Sequence, residues 1–108
     1  HRDLHSFPTR RSSDLEFYYT VAGAAIEVIK KLDFVPDLVF IDANKAQYID
    51  YFNLLKDKMA KGSVILADNV LSHEKKVQPF VNAIKSAPDW QAEILPLPAG
   101  LLIGVKIA

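Results

Sequence analysis

Hydrophobic positions change period several times along this chain. Residues 17–21 (FYYTV) are aromatic and β-branched and stop before Gly23, which predicts a short strand. Residues 24–32 place Ala25, Ile26, Ile29 and Leu32 on one helical face. Pro36 disfavours helix at Val35 and marks a loop. Within 37–43 the run Leu38-Val39-Phe40-Ile41 is apolar without alternation, as expected of a parallel strand covered on both faces. Residues 46–61 set Tyr48, Tyr51, Phe52, Leu55 and Met59 on one helical stripe, and Gly62 follows as the residue that would end the helix. Residues 63–67 (SVILA) read as a second buried strand that runs into Asp68-Asn69. A helix over about 77–87 would bury Val77, Phe80, Val81 and Ile84, with Pro79 in its first turn and residues 74–76 left as loop. Residues 90–96 and 101–107 are the last two strands. The connection at 97–100 (LPAG) is too short for a parallel crossover, so these two should be antiparallel neighbours.

The alternation of strand and helix predicts an α/β fold, a doubly wound sheet of parallel strands with an antiparallel C-terminal strand pair. Ligands in such sheets bind outside the carboxyl ends of the strands. That rule directs attention to Asp42–Lys45 and Asp68-Asn69, where the two apolar strands end.

Composition narrows the class and then divides the chain. At 108 residues there is room for one small domain, and a net charge of zero gives no reason to expect nucleic acid or an anionic membrane as partner. The absence of cysteine excludes a disulfide framework and thiolate metal sites and fits a cytoplasmic location. No apolar run approaches the roughly 18 residues of a membrane span. All three arginines (Arg2, Arg10, Arg11) and two of the three histidines (His1, His5) fall in residues 1–15. That segment, HRDLHSFPTRRSSDL, has no periodicity and no signal-peptide layout. It resembles the in-frame translation of a short-read sequencing adapter, which implies a non-native, disordered leader. Without it, 93 residues remain with ten positive and eleven negative side chains, a net charge of about −1.

If the two apolar strands are neighbours, about 4.8 Å apart, Asp42, Asp68 and Asn69 can converge. Two carboxylates and a carboxamide are an all-oxygen set that suits Mg²⁺, Ca²⁺ or Mn²⁺ rather than zinc. Each residue alone reads as a cap or turn residue after a strand; the three together leave the metal and the cap readings both open. Lys45, three residues after Asp42, opposes the helix dipole where it stands. Beside a metal and partly desolvated it would have a lowered pKa, as a general base needs; as an ordinary lysine it would lie solvated on the surface. Tyr48 and Tyr51 read as core, and His73 as a loop histidine.

Phe40-Ile41-Asp42-Ala43-Asn44-Lys45-Ala46-Gln47-Tyr48, then Tyr51, then Gly62-Ser63-Val64-Ile65-Leu66-Ala67-Asp68-Asn69-Val70-Leu71 resemble the paired motifs of the cation-dependent class I O-methyltransferases. These are the S-adenosylmethionine enzymes related to caffeoyl-CoA and catechol O-methyltransferases. Gly23 to Val28 resembles the family's segment over the cofactor adenine, and residues 100–107 its closing strand, so the likeness covers residues 16–108. The resemblance implies the C-terminal half of a Rossmann-like methyltransferase domain. It implies Asp42, Asp68 and Asn69 as metal ligands, Lys45 as catalytic base, and Ala25, Asp42, Asn44 and Tyr51 at the cofactor. Asn44 stands where many members carry an acidic residue, and Ala24 where an aspartate is frequent. The implied reaction is methyl transfer from S-adenosylmethionine to a hydroxyl of a catechol-like or other small aromatic acceptor, with a divalent cation.

No Gly-x-Gly run occurs. The family's glycine-rich cofactor loop would lie upstream of residue 16, so the expectation is an inactive fragment of an enzyme whose full-length form is a homodimer. Such a fragment would expose the 17–21 strand edge and a helix-binding face, giving marginal stability and a tendency to aggregate. The competing reading is a non-enzymatic α/β binding or receiver-like module. A receiver would carry its acidic pair after its first strand; here the Asp-Asn pair follows the strand after Asp42.

Overall fold

The computed structural model describes residues 7–10, 17–20, 25–42 and 44–108. They form two units, one ending at Asp33 and one beginning at Phe34. In the first, β1 (Phe7–Arg10) pairs antiparallel with β2 (Phe17–Thr20), and α1 (Ala25–Lys30) follows. Strand and helix fall where the sequence predicts them, but β2 belongs to a two-stranded sheet of its own, and its partner comes from the adapter-like segment. The register runs from Phe7↔Thr20 to Arg10↔Phe17. Val21, Gly23, Ala24 and Ala43 lie outside the described residues.

The second unit is a four-stranded sheet built from β3 (Leu38–Ile41), β4 (Val64–Asp68), β5 (Trp90–Leu95) and β6 (Leu101–Lys106) in the order β3-β4-β6-β5. β3 and β4 run parallel, from Leu38↔Val64 to Ile41↔Ala67. β6 is antiparallel to both β4 and β5. The antiparallel pair at the C-terminus is as the short connection requires. Two helices, α2 (Tyr48–Leu55) and α3 (Glu74–Ser86), complete the unit. Among the described residues no helix is long and apolar enough to cross a membrane.

The sheet register sorts side chains into two faces. Ile41, Ile65, Ala67, Leu102 and Trp90 are buried on the face where α2 and α3 pack. Their apolar stripes supply Tyr48, Phe52, Leu55, Val77, Phe80 and Ile84. Rings meet edge to face across this layer: Phe80 with Tyr48 at 5.8 Å, Phe52 with Phe80 at 5.8 Å, and Phe52 with Trp90 at 5.5 Å. The tilted geometry aligns ring edges with ring faces and adds to the gain from burial. The opposite face, read along Leu38↔Val64↔Val105 and Phe40↔Leu66↔Ile103, is only partly covered.

Three expectations need correcting. β3 is not covered on both faces: Leu38 is 62% and Phe40 58% exposed, because β3 is an edge strand and the described helices of this unit pack on the other face. α2 stops at Leu55 rather than Lys61. The chain then turns, with the Lys58 amide donating to the Leu55 carbonyl, and Gly62 (φ +94°) serves the turn into β4, its amide bonding the Lys106 carbonyl. α3 starts at Glu74, which leaves Pro79 inside the helix. Pro79 lacks the N–H that would bond the carbonyl of Lys75. Both residues are exposed, so water can satisfy that carbonyl, while Val77 two residues earlier is anchored in the core.

Candidate active site

The site lies at the carboxyl ends of β3 and β4. Their register ends at Ile41↔Ala67, so the next residues, Asp42 and Asp68, stand level on neighbouring strands. Asp42 precedes a 3-10 turn over Lys45–Gln47 that leads into α2. Asn44 caps that turn, its Oδ1 accepting from the Ala46 amide at 3.1 Å. The tight turn folds Lys45 back, and its Nζ lies 3.1 Å from Asp42 Oδ1. Lys45 is 14% exposed and Asp42 49%. The same ammonium sits 5.3 Å from the centre of the Tyr48 ring. Burial lowers the Lys45 pKa, but the Tyr48 and Asp42 side chains outweigh burial and hold it above the ordinary lysine value. The protein's own groups therefore favour the ammonium form of Lys45.

Asp68 ends β4 half-buried. Its Oδ1 accepts the Asn69 amide at 2.8 Å. Asn69 adopts φ +65°, the left-handed region that asparagine tolerates better than most residues, and this turns the chain sharply out of the sheet. Its carbonyl then receives the His73 amide at 3.1 Å at the start of α3. The turn between β5 and β6 holds the loop from above. Val70 donates to the Gly100 carbonyl, and Leu71 and Ser72 both donate to the Ala99 carbonyl. Leu71, Ser72, His73, Glu74, Lys75 and Lys76 line an open groove of about 390 Å³. His73 is exposed there, its Nδ1 3.0 Å from Ser72 Oγ.

The structure thus brings Asp42 and Lys45 into contact, joins Asp68 to Asn69, and sets the two pairs on adjacent strand ends. Of the other residues implied at the cofactor, Asn44 is the cap of the turn that follows Asp42. Tyr51 is buried in the core with its hydroxyl donating to Gln47 Oε1 at 3.0 Å. Burial first, then Tyr48 and Asp50, push its pKa up. Ala25 opens α1 in the first unit. Among the described residues no three His, Cys, Asp or Glu side chains form a metal-holding group; the candidate set here is two carboxylates and a carboxamide.

One residue of the site was legible only as core. Tyr48 has no exposed surface, and its hydroxyl donates to the Asp68 carbonyl at 2.9 Å while lying 3.4 Å from the Ile41 carbonyl. The available signal was chemical: a buried tyrosine hydroxyl needs a partner, and Tyr48 is three residues from Lys45.

An O-methyltransferase family profile matches residues 12–91. The match begins inside the adapter-like segment. A Dictyostelium discoideum protein named "Probable caffeoyl-CoA O-methyltransferase 2" is 44% identical over 84 residues, covering 66% of this chain and 36% of the relative. The fold is shared with an O-methyltransferase from Bacillus cereus solved with SAH (S-adenosylhomocysteine), at TM-score 0.66 and 24% identity, over 76% of this chain and 46% of that one. It is also shared with an SAH-bound methyltransferase from Podospora anserina, at TM-score 0.72 and 22% identity, over 80% and 47%. The chain therefore spans about a third of the length of the curated relative and under half of each solved one. The fold is that of these methyltransferases. The chain belongs to the O-methyltransferase family.

Proposed function

We propose that these residues form the cation- and acceptor-binding part of an S-adenosylmethionine-dependent O-methyltransferase acting on a catechol-like or other small aromatic hydroxyl compound. One observation carries the reading. Asp42 and Asp68 leave adjacent parallel strands side by side, with Lys45 Nζ 3.1 Å from the first of them. The cofactor is carried over from the SAH held by the Bacillus cereus and Podospora anserina structures. The donor chemistry fits a divalent cation, since two carboxylates and an amide oxygen are hard ligands.

Asp42, Asp68 and Asn69 would hold the cation, which when bound acts as a Lewis acid on the acceptor hydroxyl and offsets the pull of Asp42 on Lys45. S-Adenosylmethionine contributes the sulfonium methyl group. Once its own proton has passed to solvent as the cation binds, the neutral Lys45 Nζ would take the hydroxyl proton as the oxygen–methyl bond forms and the sulfur–methyl bond breaks. Asp42 then stabilises the ammonium so formed, and this ion pair is the arrangement present in the structure. The acceptor ring would lie in the groove lined by Leu71 to Lys76, which follows Asn69 in the chain. Holding two reactants in line is a large part of such catalysis, because effective molarities of about 10⁵ M and above come from orientation.

The test is methylation of catechol with labelled S-adenosylmethionine, in a protein extended to the length of its relatives. EDTA and Asp68→Ala should each abolish turnover. Lys45→Met should lower kcat by about 10²–10⁴-fold and leave Mn²⁺ affinity within a few-fold. EDTA-insensitive methylation, or full activity in Asp68→Ala, would remove the cation from the reading.

A further inference from the structure

We propose that Tyr48 is a positioning residue that fixes the two peptide planes from which the oxygen ligands hang. The inference rests on the cation site proposed above and adds a residue to it.

The Ile41 carbonyl belongs to the peptide that leads into Asp42, and the Asp68 carbonyl to the peptide that leads into Asn69. The Tyr48 hydroxyl reaches both, at 3.4 Å and 2.9 Å. A hydroxyl has one proton, so the shorter bond, to Asp68, holds it most of the time, and the Ile41 carbonyl is the weaker partner. The parallel register between β3 and β4 ends at Ile41↔Ala67. Beyond that pair Asp68 is still held to β6 opposite Leu101, but among the described residues no pairing joins the ends of β3 and β4, and the hydroxyl ties them to each other.

The other end of the chain of contacts is equally specific. The Asn69 amide, in the plane that Tyr48 holds, donates to Asp68 Oδ1 at 2.8 Å. Rotation of that plane would turn the Asp68 carboxylate and shift the Asn69 side chain together. Tyr48 itself cannot drift: it is fully buried, and the Phe80 ring meets it edge to face at 5.8 Å and 85°. Its upper face carries the Lys45 ammonium at 5.3 Å. One side chain thus sets the height of Lys45 and the spacing of Asp42 and Asp68. Partners that orient metal ligands typically govern affinity by 10–100-fold.

Tyr48→Phe deletes the hydroxyl and keeps the ring. The control is Ile84→Val, a buried deletion in the same core that touches neither carbonyl. Two readouts are taken on the full chain: Mn²⁺ affinity by electron paramagnetic resonance, and hydrogen exchange at the Asp42 and Asn69 amides. The expected result is Mn²⁺ binding at least about 10-fold weaker and faster exchange at both amides in Tyr48→Phe, with Ile84→Val within twofold of the parent in each. Mn²⁺ affinity in Tyr48→Phe within twofold of Ile84→Val would overturn the proposal. Asp68→Ala separates the two readings. If it binds Mn²⁺ as tightly as the parent, the cation site itself is wrong, and the amide exchange alone then decides whether Tyr48 ties the strand ends.

Discussion

Three glycines offer a graded test of how the loop behind the site is held. Gly62 and Gly100 both have positive φ, +94° and +82°, but their surroundings differ. A Cβ on Gly62 would meet nothing within 4 Å, whereas on Gly100 it would lie 2.5 Å from Leu71 Cγ and 2.7 Å from the Leu71 backbone nitrogen. On Gly104, with no φ strain, it would lie 2.6 Å from Ile84 Cδ1, the far end of a side chain that can swing away. Gly62→Ala should therefore lose only the left-handed strain, about 1–2 kcal/mol, part of it offset by the stiffer unfolded chain. Gly104→Ala should lose about 1 kcal/mol, the low end of overpacking. Gly100→Ala combines strain with a clash against backbone and should lose about 3–5 kcal/mol, a large share of a small domain's stability. Urea unfolding followed by the single tryptophan, Trp90, which is 5% exposed beside Phe52, measures all three. Because the Gly100 carbonyl receives the Val70 amide, Gly100→Ala should also speed hydrogen exchange at Val70, Leu71 and Ser72 beyond the global change. Equal losses in Gly62→Ala and Gly100→Ala would refute the claim that the close approach to Leu71 holds this loop.

Two further outcomes follow from the site. Asn69→Gly keeps the left-handed turn and deletes the amide oxygen, so urea stability should stay within about 1 kcal/mol while Mn²⁺ affinity falls at least tenfold; unchanged affinity would make Asn69 a turn residue only. The Tyr51 pKa is raised in the folded protein, first by burial, so the folded state keeps its proton to higher pH than the unfolded chain. That stability is complete below the unfolded value of about 10 and is lost as pH rises through the folded one. The urea midpoint should hold from pH 7 to 9 and then fall, and Tyr51→Phe should fall less steeply; an equally steep fall would show that Tyr51 is not responsible.

How much was legible in the sequence depends on whether a feature is local. The unbroken apolar runs at residues 38–41 and 64–67 announce strands because a four-residue apolar stretch has few other ways to be buried. The stripe from Tyr48 to Leu55 announces a helix for the same reason. The short link before Leu101 dictates an antiparallel return, and it does so without any knowledge of neighbours. Asp42, Lys45, Asp68 and Asn69 could be singled out because strand ends are where such sheets place ligands, and the paired motifs carry the family resemblance.

The sequence by itself therefore determined which segments after residue 16 are strands and helices, the extents of α2 and α3 apart, and which residues stand at the strand ends. Tertiary structure alone decided how those residues meet. Register between β3 and β4 is a matter of interstrand hydrogen bonds, and it is what sets Asp42 level with Asp68. β6 lies between β4 and β5 because the sheet pairs edges in space and not in chain order. Pro79 stays within α3 because packing of Val77 and Phe80 outweighs one missing hydrogen bond at an exposed carbonyl. Tyr48 changes most: as a letter on an apolar stripe it is a core residue. Only the folded chain brings its hydroxyl to the Asp68 carbonyl, because a side-chain hydrogen bond across twenty residues depends on the path of the backbone between them.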